Sequence, residues 1–305
     1  MTSVLYDLPG PRAVLRNRLL GVLTVIVVGA AIAFLGYRLA VTGQFSAAKW
    51  QIFASPNVWL RVAEALGATL AAFVVAAIGS LILGVILAVG RLSDHRWVRL
   101  PVTAIVEVLR AVPVLVMMML LFYGIPTAFG IKMASYWAVV IALIAYNGSV
   151  LAEAFRAGIE ALPRGQKEAG YAIGLRKNGV MRLILFPQAV RAMLPVIISQ
   201  LVVTMKDTAL GFIITYPELL YTAKLLSSQQ GRPILQSAFV IGGIYIVMCL
   251  ILAGLAKWAE VRTRRSPRAI AAQEAVAPLL KDGTETEVIV TQRTRRGQDT
   301  EDYGD

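Results

Sequence analysis

The sequence predicts an all-α polytopic membrane protein with about six transmembrane helices and both termini in the cytoplasm. Three observations predict it. The chain is 57% hydrophobic and only 16% charged, against roughly 45–50% apolar and about 25% charged in a soluble domain. Its apolar residues are gathered into runs, and a helix crosses the hydrocarbon core with ~20 mainly apolar residues. Its Lys and Arg residues fall mostly on alternate connecting segments, as they do when cationic loops are retained on the inner face.

Six runs qualify as spans: Leu19–Gly36, Gly67–Gly90, Val102–Tyr123, Tyr136–Phe155, Ala192–Ile214 and Leu235–Trp258. The first is too long for a secretory h-region and lacks a small-residue cleavage site, so it reads as a retained anchor. The second contains Ser80-x-x-x-Gly84, small residues that let a neighbouring helix approach closely. The third carries Pro113, which kinks it unless neighbours restore the lost backbone bond. Its Met117, Met118 and Met119 form a flexible apolar wall, as packing or as gate lining. Near its inner end, Glu107 and Arg110 are expected to pair with each other. The fourth span places Asn147 and Ser149 deep. Glu153 and Arg156 lie three apart on one face of it, as a structural ion pair. The fifth is the weakest by composition, holding Pro195, Gln200, Lys206 and Asp207. The sixth holds Cys249, the sole cysteine, which reads as a packing residue.

With the N-terminus inside, the inner segments, the last counted from Lys257 at the end of the sixth span, carry 22 of the 30 Lys and Arg residues and the outer segments 6; Arg110 and Lys206 lie deeper within spans. The net charge of +12 is therefore a signal of membrane sidedness rather than a nucleic-acid footprint. From Ser266 the composition changes, and the remainder holds 8 of the 18 acidic residues with few large apolar ones. It reads as a disordered cytoplasmic tail.

The cytoplasmic loop between the fourth and fifth spans is the most charged interruption of the apolar chain. Pro163 suits the first turn of a helix, and Gly174 suits its C-terminal stop. Asn178 is placed to cap a second short helix that Pro187 breaks. On the first helix Glu168, Tyr171, Ala172 and Leu175 share a face, and Ala169, Gly170 and Ala172 are small. Two readings fit: an amphipathic loop resting on lipid headgroups, or a docking surface with apolar anchors and a charged rim.

The run "EAGYAIGLRKNGVMRLILFP" resembles the EAA loop of ABC importer permeases. Glu168 and Ala169 match its opening, Gly174 follows at the family gap, and Ile184 comes after nine intervening residues. Phe186 stands where Leu is usual and Pro187 completes the pattern. Gly170 replaces the second Ala, which loosens a helix by ~1 kcal/mol. Flanking segments resemble the polar amino acid branch of that family: "EVLRAVPVLVMMMLLFYG", "NGSVLAEAFRAGIEALPRGQ" and "FPQAVRAMLPVIISQLVVTMKDTALG". The continuation "FIITYPELL" is most similar to the glutamate permeases of actinobacteria. The resemblance covers roughly Leu66–Leu255.

The resemblance implies a MetI-like helical bundle and a three-part organisation. Residues 1–62 form the cytoplasmic N-terminus, first helix and external loop. Residues 63–262 form the permease core, with a cytoplasmic coupling loop at 162–191, and 263–305 form the tail. It also implies that Gly165, Gln166, Glu168, Ala169, Tyr171, Gly174 and Leu175 couple the chain to an ATPase. Charged and amide groups inside spans are costly and mark functional sites by default. Asn147, Ser149, Met117, Lys206, Asp207 and Thr208 are candidates for a substrate pathway, Met117 as gate lining. Asn147 serves either substrate or interhelical hydrogen bonding. Lys206 either meets a substrate carboxylate or is a snorkelling or structurally paired lysine.

The expected function is that of a permease subunit in an ATP-driven importer of an amino acid, L-glutamate, working by alternating access. The alternative is a stand-alone secondary transporter or channel, against which no inverted pair of interrupted helices is apparent. No Walker A pattern occurs, so ATP and Mg belong to the partner ATPase and this chain is expected to bind no cofactor. Neither a nucleophile elbow nor paired carboxylates at helical spacing point to an enzyme. His95 is the single histidine and has no partner for a metal site. The implied partners are an ATP-binding cassette ATPase dimer, a second and different permease subunit, an extracytoplasmic solute-binding protein, the amino acid and membrane lipid, but no nucleic acid. The implied location is a bacterial cytoplasmic membrane.

Overall fold

In the computed structural model, α1 runs from Pro11 to Val41, with proline in its first turn. The structure describes residues 10–229 and 231–264. None of the apolar window of α1 is buried within the chain, and Leu15, Val25 and Ile32 along it are all exposed. What ties this helix to the rest is the loop that follows. The carboxamide of the buried Gln236 donates to the Gln44 carbonyl. The short α2 (Ala47–Trp50) and a 3₁₀ turn (Gln51–Ala54) come next. Here Phe53 packs between Trp50 and Trp59, with ring centroids 6.1 and 6.3 Å away, and the Trp59 indole donates to the Phe53 carbonyl at 2.8 Å. Amphipathic rings gathered at one end of a span suit the membrane–water interface.

The long α3 (Pro56–Arg91) buries Val58, Val62, Ala65, Thr69, Ala72, Ala76, Ser80, Gly84 and Leu87, a stripe at three- and four-residue spacing. It packs on α7 (Ser135–Glu160) through small residues. A Cβ on Gly84 would lie 2.8 Å from the Leu151 Cβ, and the hydroxyl of Ser80 donates to the Leu143 carbonyl at 3.3 Å. The close approach expected at Ser80-x-x-x-Gly84 is therefore present. Around it lies a core of Ala72, Ala76, Met118, Val139, Val140, Leu143, Ile214 and Tyr216.

The third span departs from expectation. It is a pair of helices, α4 (Arg96–Ala111) and α5 (Val114–Met119) with its continuation, bent by 97°. Proline disfavours the α region for the residue before it, and Val112 is extended (φ −84°, ψ 122°). Pro113 therefore breaks the helix rather than kinking it. With this bent pair taken as one span there are six candidate crossings among the described residues, and without it five.

Two π turns follow a shared logic. One, Leu120–Gly124, leads into α6 (Ile125–Phe129) and Pro126. The other, Val180–Leu185, joins α9 (Lys177–Gly179) to α10 (Phe186–Asp207) and Pro187. A proline clashes with the carbonyl four residues earlier and cannot bond to it. Each π turn holds that earlier residue (Phe122 or Leu183) and absorbs the mismatch in a wider ring. The expected break at Pro187 is thus absent: an apolar helical path runs over Lys177–Ile214, 38 residues, well before the expected start at Ala192. Its last turn, Thr208–Ile214, is 3₁₀.

After α10 the chain turns through Thr215 (φ 59°) into α11 (Leu219–Ser227). Glu218 caps α11, accepting from the Leu220 and Tyr221 amides at 2.7 and 2.6 Å and from the Tyr245 hydroxyl at 2.7 Å. Its side chain is fully buried, and that burial pushes its carboxyl above the usual carboxylate range against the pull of those donors. α12 (Ile234–Arg264) ends the described chain. The tail expected from 263 therefore lies, from residue 265, outside the described residues.

The described residues divide into two compact units, one within Met1–Ala157 and Ser199–Ile251, the other within Gly158–Ile198 and Leu252–Asp305. The first contains the spanning core just described. The second contains α8 (Arg164–Ala172) and the π turn against which it packs.

Candidate functional site

The charged loop forms α8, capped by Pro163 at ψ 133° rather than beginning with it. Its end is a Schellman closure: the Leu175 amide donates to the Gly170 carbonyl at 3.1 Å and the Gly174 amide to the Tyr171 carbonyl at 2.9 Å. This closure needs the left-handed backbone of Gly174, φ 83°. Gly165, Gln166, Glu168, Ala169, Tyr171 and Gly174 are all exposed, while Leu175 is half-buried near Gly179. The left-handed step turns Leu175 inward, so it does not extend the Glu168–Tyr171 face. Lys167 lies 6.0 Å from the Tyr171 ring centroid, and Gln166 accepts from Gln188 at 3.3 Å.

Gly170 is the one buried residue of α8. A Cβ there would sit 2.8 Å from Val180 Cγ2 and 2.9 Å from Ile184 Cδ1. Its departure from Ala is matched by the branched side chains opposite. Gly170→Ala should therefore destabilise the loop, because overpacking costs about 1–3 kcal/mol and outweighs the ~1 kcal/mol gained in helix propensity. Limited proteolysis of the loop checks this: Gly170→Ala is cleaved faster, and Gly170→Ala with Val180→Ala is restored.

Of the pathway candidates, three are held by internal hydrogen bonds. Asn147 is fully buried, donating to the Leu143 carbonyl at 3.0 Å and accepting from Gln200 Nε2 at 2.6 Å. Ser149 donates to the Tyr146 carbonyl and Thr208 to the Met205 carbonyl, each at 2.6 Å. Met117 is half-buried in the wall beside the fully buried Met118. Lys206 is exposed and Asp207 half-buried. With Ala209, Tyr245, Ile246, Cys249 and Leu250, Lys206 lines a groove of about 430 Å³. Of the six candidates, Lys206 is the one that lines this groove.

The expected Glu153–Arg156 pair is present at 2.5 Å, but it is part of a larger cluster. Arg91, at the end of α3, also pairs with Glu153, and Arg110 lies 3.7 Å from it. Arg110 is thus directed to Glu153 and not, as expected, to Glu107. The sequence hides this cluster because its partners are separated by 62 and 43 positions. Gln200 was visible only as an amide in a span; its partner Asn147 lies 53 residues away. No group of three or more His, Cys, Asp or Glu side chains able to hold a metal occurs among the described residues.

Residues 80–265 match the family described as "Binding-protein-dependent transport system inner membrane component". The chain is 39% identical over 230 residues to the glutamate transport system permease protein GluD of Corynebacterium glutamicum, covering 74% of this chain and 84% of that one. It is 32% identical over 202 residues to the arginine transport system permease protein ArtQ of Bacillus subtilis, covering 65% and 90%. Among solved structures, an amino acid ABC transporter crystallised with histidines matches with a TM-score of 0.60 at 28% identity, covering 66% of this chain and 94% of that one.

Proposed function

We propose, from the premise that this chain belongs to the binding-protein-dependent transport inner-membrane component family and is a permease subunit of an amino-acid ABC importer, that the amino acid it carries is L-glutamate. The observation that carries the substrate reading is the 39% identity to a glutamate permease over three-quarters of the chain. An arginine permease is similar at 32%, so the family supports the class and the higher identity supports the acidic member.

The same premise gives the exposed face of α8, with Gly165, Gln166, Glu168, Ala169, Tyr171 and Gly174, the role of docking into a separate ATP-binding cassette dimer that holds ATP and Mg. A second, different permease subunit and an extracytoplasmic solute-binding protein complete the assembly. ATP-bound and nucleotide-free motors must favour different permease states, since only differential affinity shifts a conformational equilibrium.

Lys206 supports the acidic reading from this chain's own chemistry. It is an exposed cation on a groove wall within a candidate span, where an uncompensated charge is costly. A carboxylate arriving there is attracted. In liposomes holding the full complex, glutamate uptake is outcompeted by unlabelled glutamate and not by arginine. Lys206→Ala reduces glutamate uptake by about tenfold, as expected for one charge-assisted contact, and leaves a neutral amino acid supplied at saturating level nearly unchanged. Equal losses for both substrates would leave Lys206 a structural residue. Uptake by this chain alone, driven by an ion gradient, would overturn the importer assignment itself.

A further inference from the structure

We infer that α4 does not cross the membrane but lies in the plane of the inner leaflet, where Arg96 and Arg99 bind the phosphate of anionic phospholipids. α4 starts just after Arg91, the inner end of α3, and Arg110 near its other end faces Glu153, which also pairs with Arg91, so both ends of α4 lie at the same depth. The following helical segment departs from it by 97°, so both cannot run along the membrane normal. The chain between Arg91 and Arg99 carries three of the inner-face cations, which places the start of α4 at the cytoplasmic surface.

The helix then presents three faces, read at 100° per residue. Val102, Val106 and Leu109 form the first, turned toward protein: Val106 is fully buried, and a Cβ on Gly90 of α3 would meet Val102 at 3.0 Å. Trp97, Leu100, Ala104, Ile105 and Val108 form the second, and every one of them is exposed. Arg96, Arg99, Thr103, Glu107 and Arg110 form the third, a polar arc with three cations to one anion. A helix with one packed, one apolar and one basic face suits the headgroup boundary. Trp97, 92% exposed and next in sequence to Arg96, suits the interfacial zone where indoles collect. Arg110 is engaged by Glu153. Arg96 and Arg99 are exposed and form no ion pair among the described residues. Their charge is complementary to an acidic headgroup, and the apolar face beside them is complementary to its acyl chains.

Two measurements on the reconstituted complex test this. Spin labels are placed singly by Leu100→Cys, Ala104→Cys, Val108→Cys, Arg99→Cys and Thr103→Cys in a Cys249→Ser background, with other cysteines of the complex replaced. The first three should relax with oxygen and the last two with an aqueous nickel chelate. Shielding of the first three from both reagents would mean a protein partner covers this face and would overturn the in-plane assignment, as would nickel access at all five. The second measurement counts phosphatidylglycerol against phosphatidylcholine retained on the purified complex by native mass spectrometry. Arg96→Gln with Arg99→Gln weakens phosphatidylglycerol retention by about fivefold for each arginine removed, and inorganic phosphate does not displace the lipid. Unchanged retention in the double variant, or displacement by phosphate alone, would overturn the headgroup site.

Discussion

A Gly174→Asp permease inserts and folds, and the assembled complex hydrolyses ATP without importing its amino acid. The fold survives because a Cβ at Gly174 meets nothing within 4 Å. The cost is confined to the backbone at φ 83°, about 1–2 kcal/mol for an L residue in the left-handed region, with Asp among the side chains that enter it most readily. The partner side does not survive. Gly174 is exposed at the tip of the Schellman closure, so a new carboxylate enters the face proposed to dock. An unpaired charge buried at an interface costs roughly 3–5 kcal/mol, about two to four orders of magnitude in affinity. The measurement is the ratio of ATP hydrolysed to substrate imported in proteoliposomes. Gly174→Ala, which carries the backbone strain without the charge, should retain most uptake. Normal coupling in Gly174→Asp would show that the motor does not seat on this loop.

Glu153→Ala lowers the melting temperature of the purified protein by several degrees and more than any single arginine replacement in the cluster. The carboxylate accepts from Arg91 and from Arg156 and faces Arg110, so it joins the ends of α3 and α4 to α7. Its removal leaves three guanidinium groups in one place. Arg91 is only 12% exposed, so water compensates little of that charge, while Arg110 at 43% is better solvated. Breaking a buried pair costs about 3–5 kcal/mol, and partial exposure of this cluster brings the expectation to roughly 2–3 kcal/mol. Arg110→Gln, the loosest of the three contacts, should cost under about 1 kcal/mol. A cluster that tolerates Glu153→Ala without a shift in melting, measured in the same detergent, would be surface decoration and not a joint.

The residues differ in how much of this the sequence discloses. Gly174 is fully legible: a glycine after an amphipathic turn needs one backbone conformation, and the structure has it. Ser80 and Gly84 are legible for the same local reason. Pro113 and Pro187 are legible as trouble but not as outcome. At Pro113 the preceding residue turns extended and the span breaks; at Pro126 and Pro187 a π turn absorbs the fault and the helix continues. That difference depends on what packs around each proline, which a single chain of letters does not contain. The Glu153 cluster was half visible, since only the partner three residues away shares a local helix. The Asn147–Gln200 and Glu218–Tyr245 bonds link residues 53 and 27 apart, and periodicity carries no information about such pairs.

The π turn at Val180–Leu185 has one more effect. Each residue added to a helix without adding a turn shifts the angular phase of everything downstream by about 100°. A helical wheel drawn straight on from Lys177 therefore assigns Arg191 to a direction it does not face. Any homologue lacking that extra residue would aim its equivalent of Arg191 elsewhere, so a gap in an alignment at this point amounts to a rotation of the helix that follows.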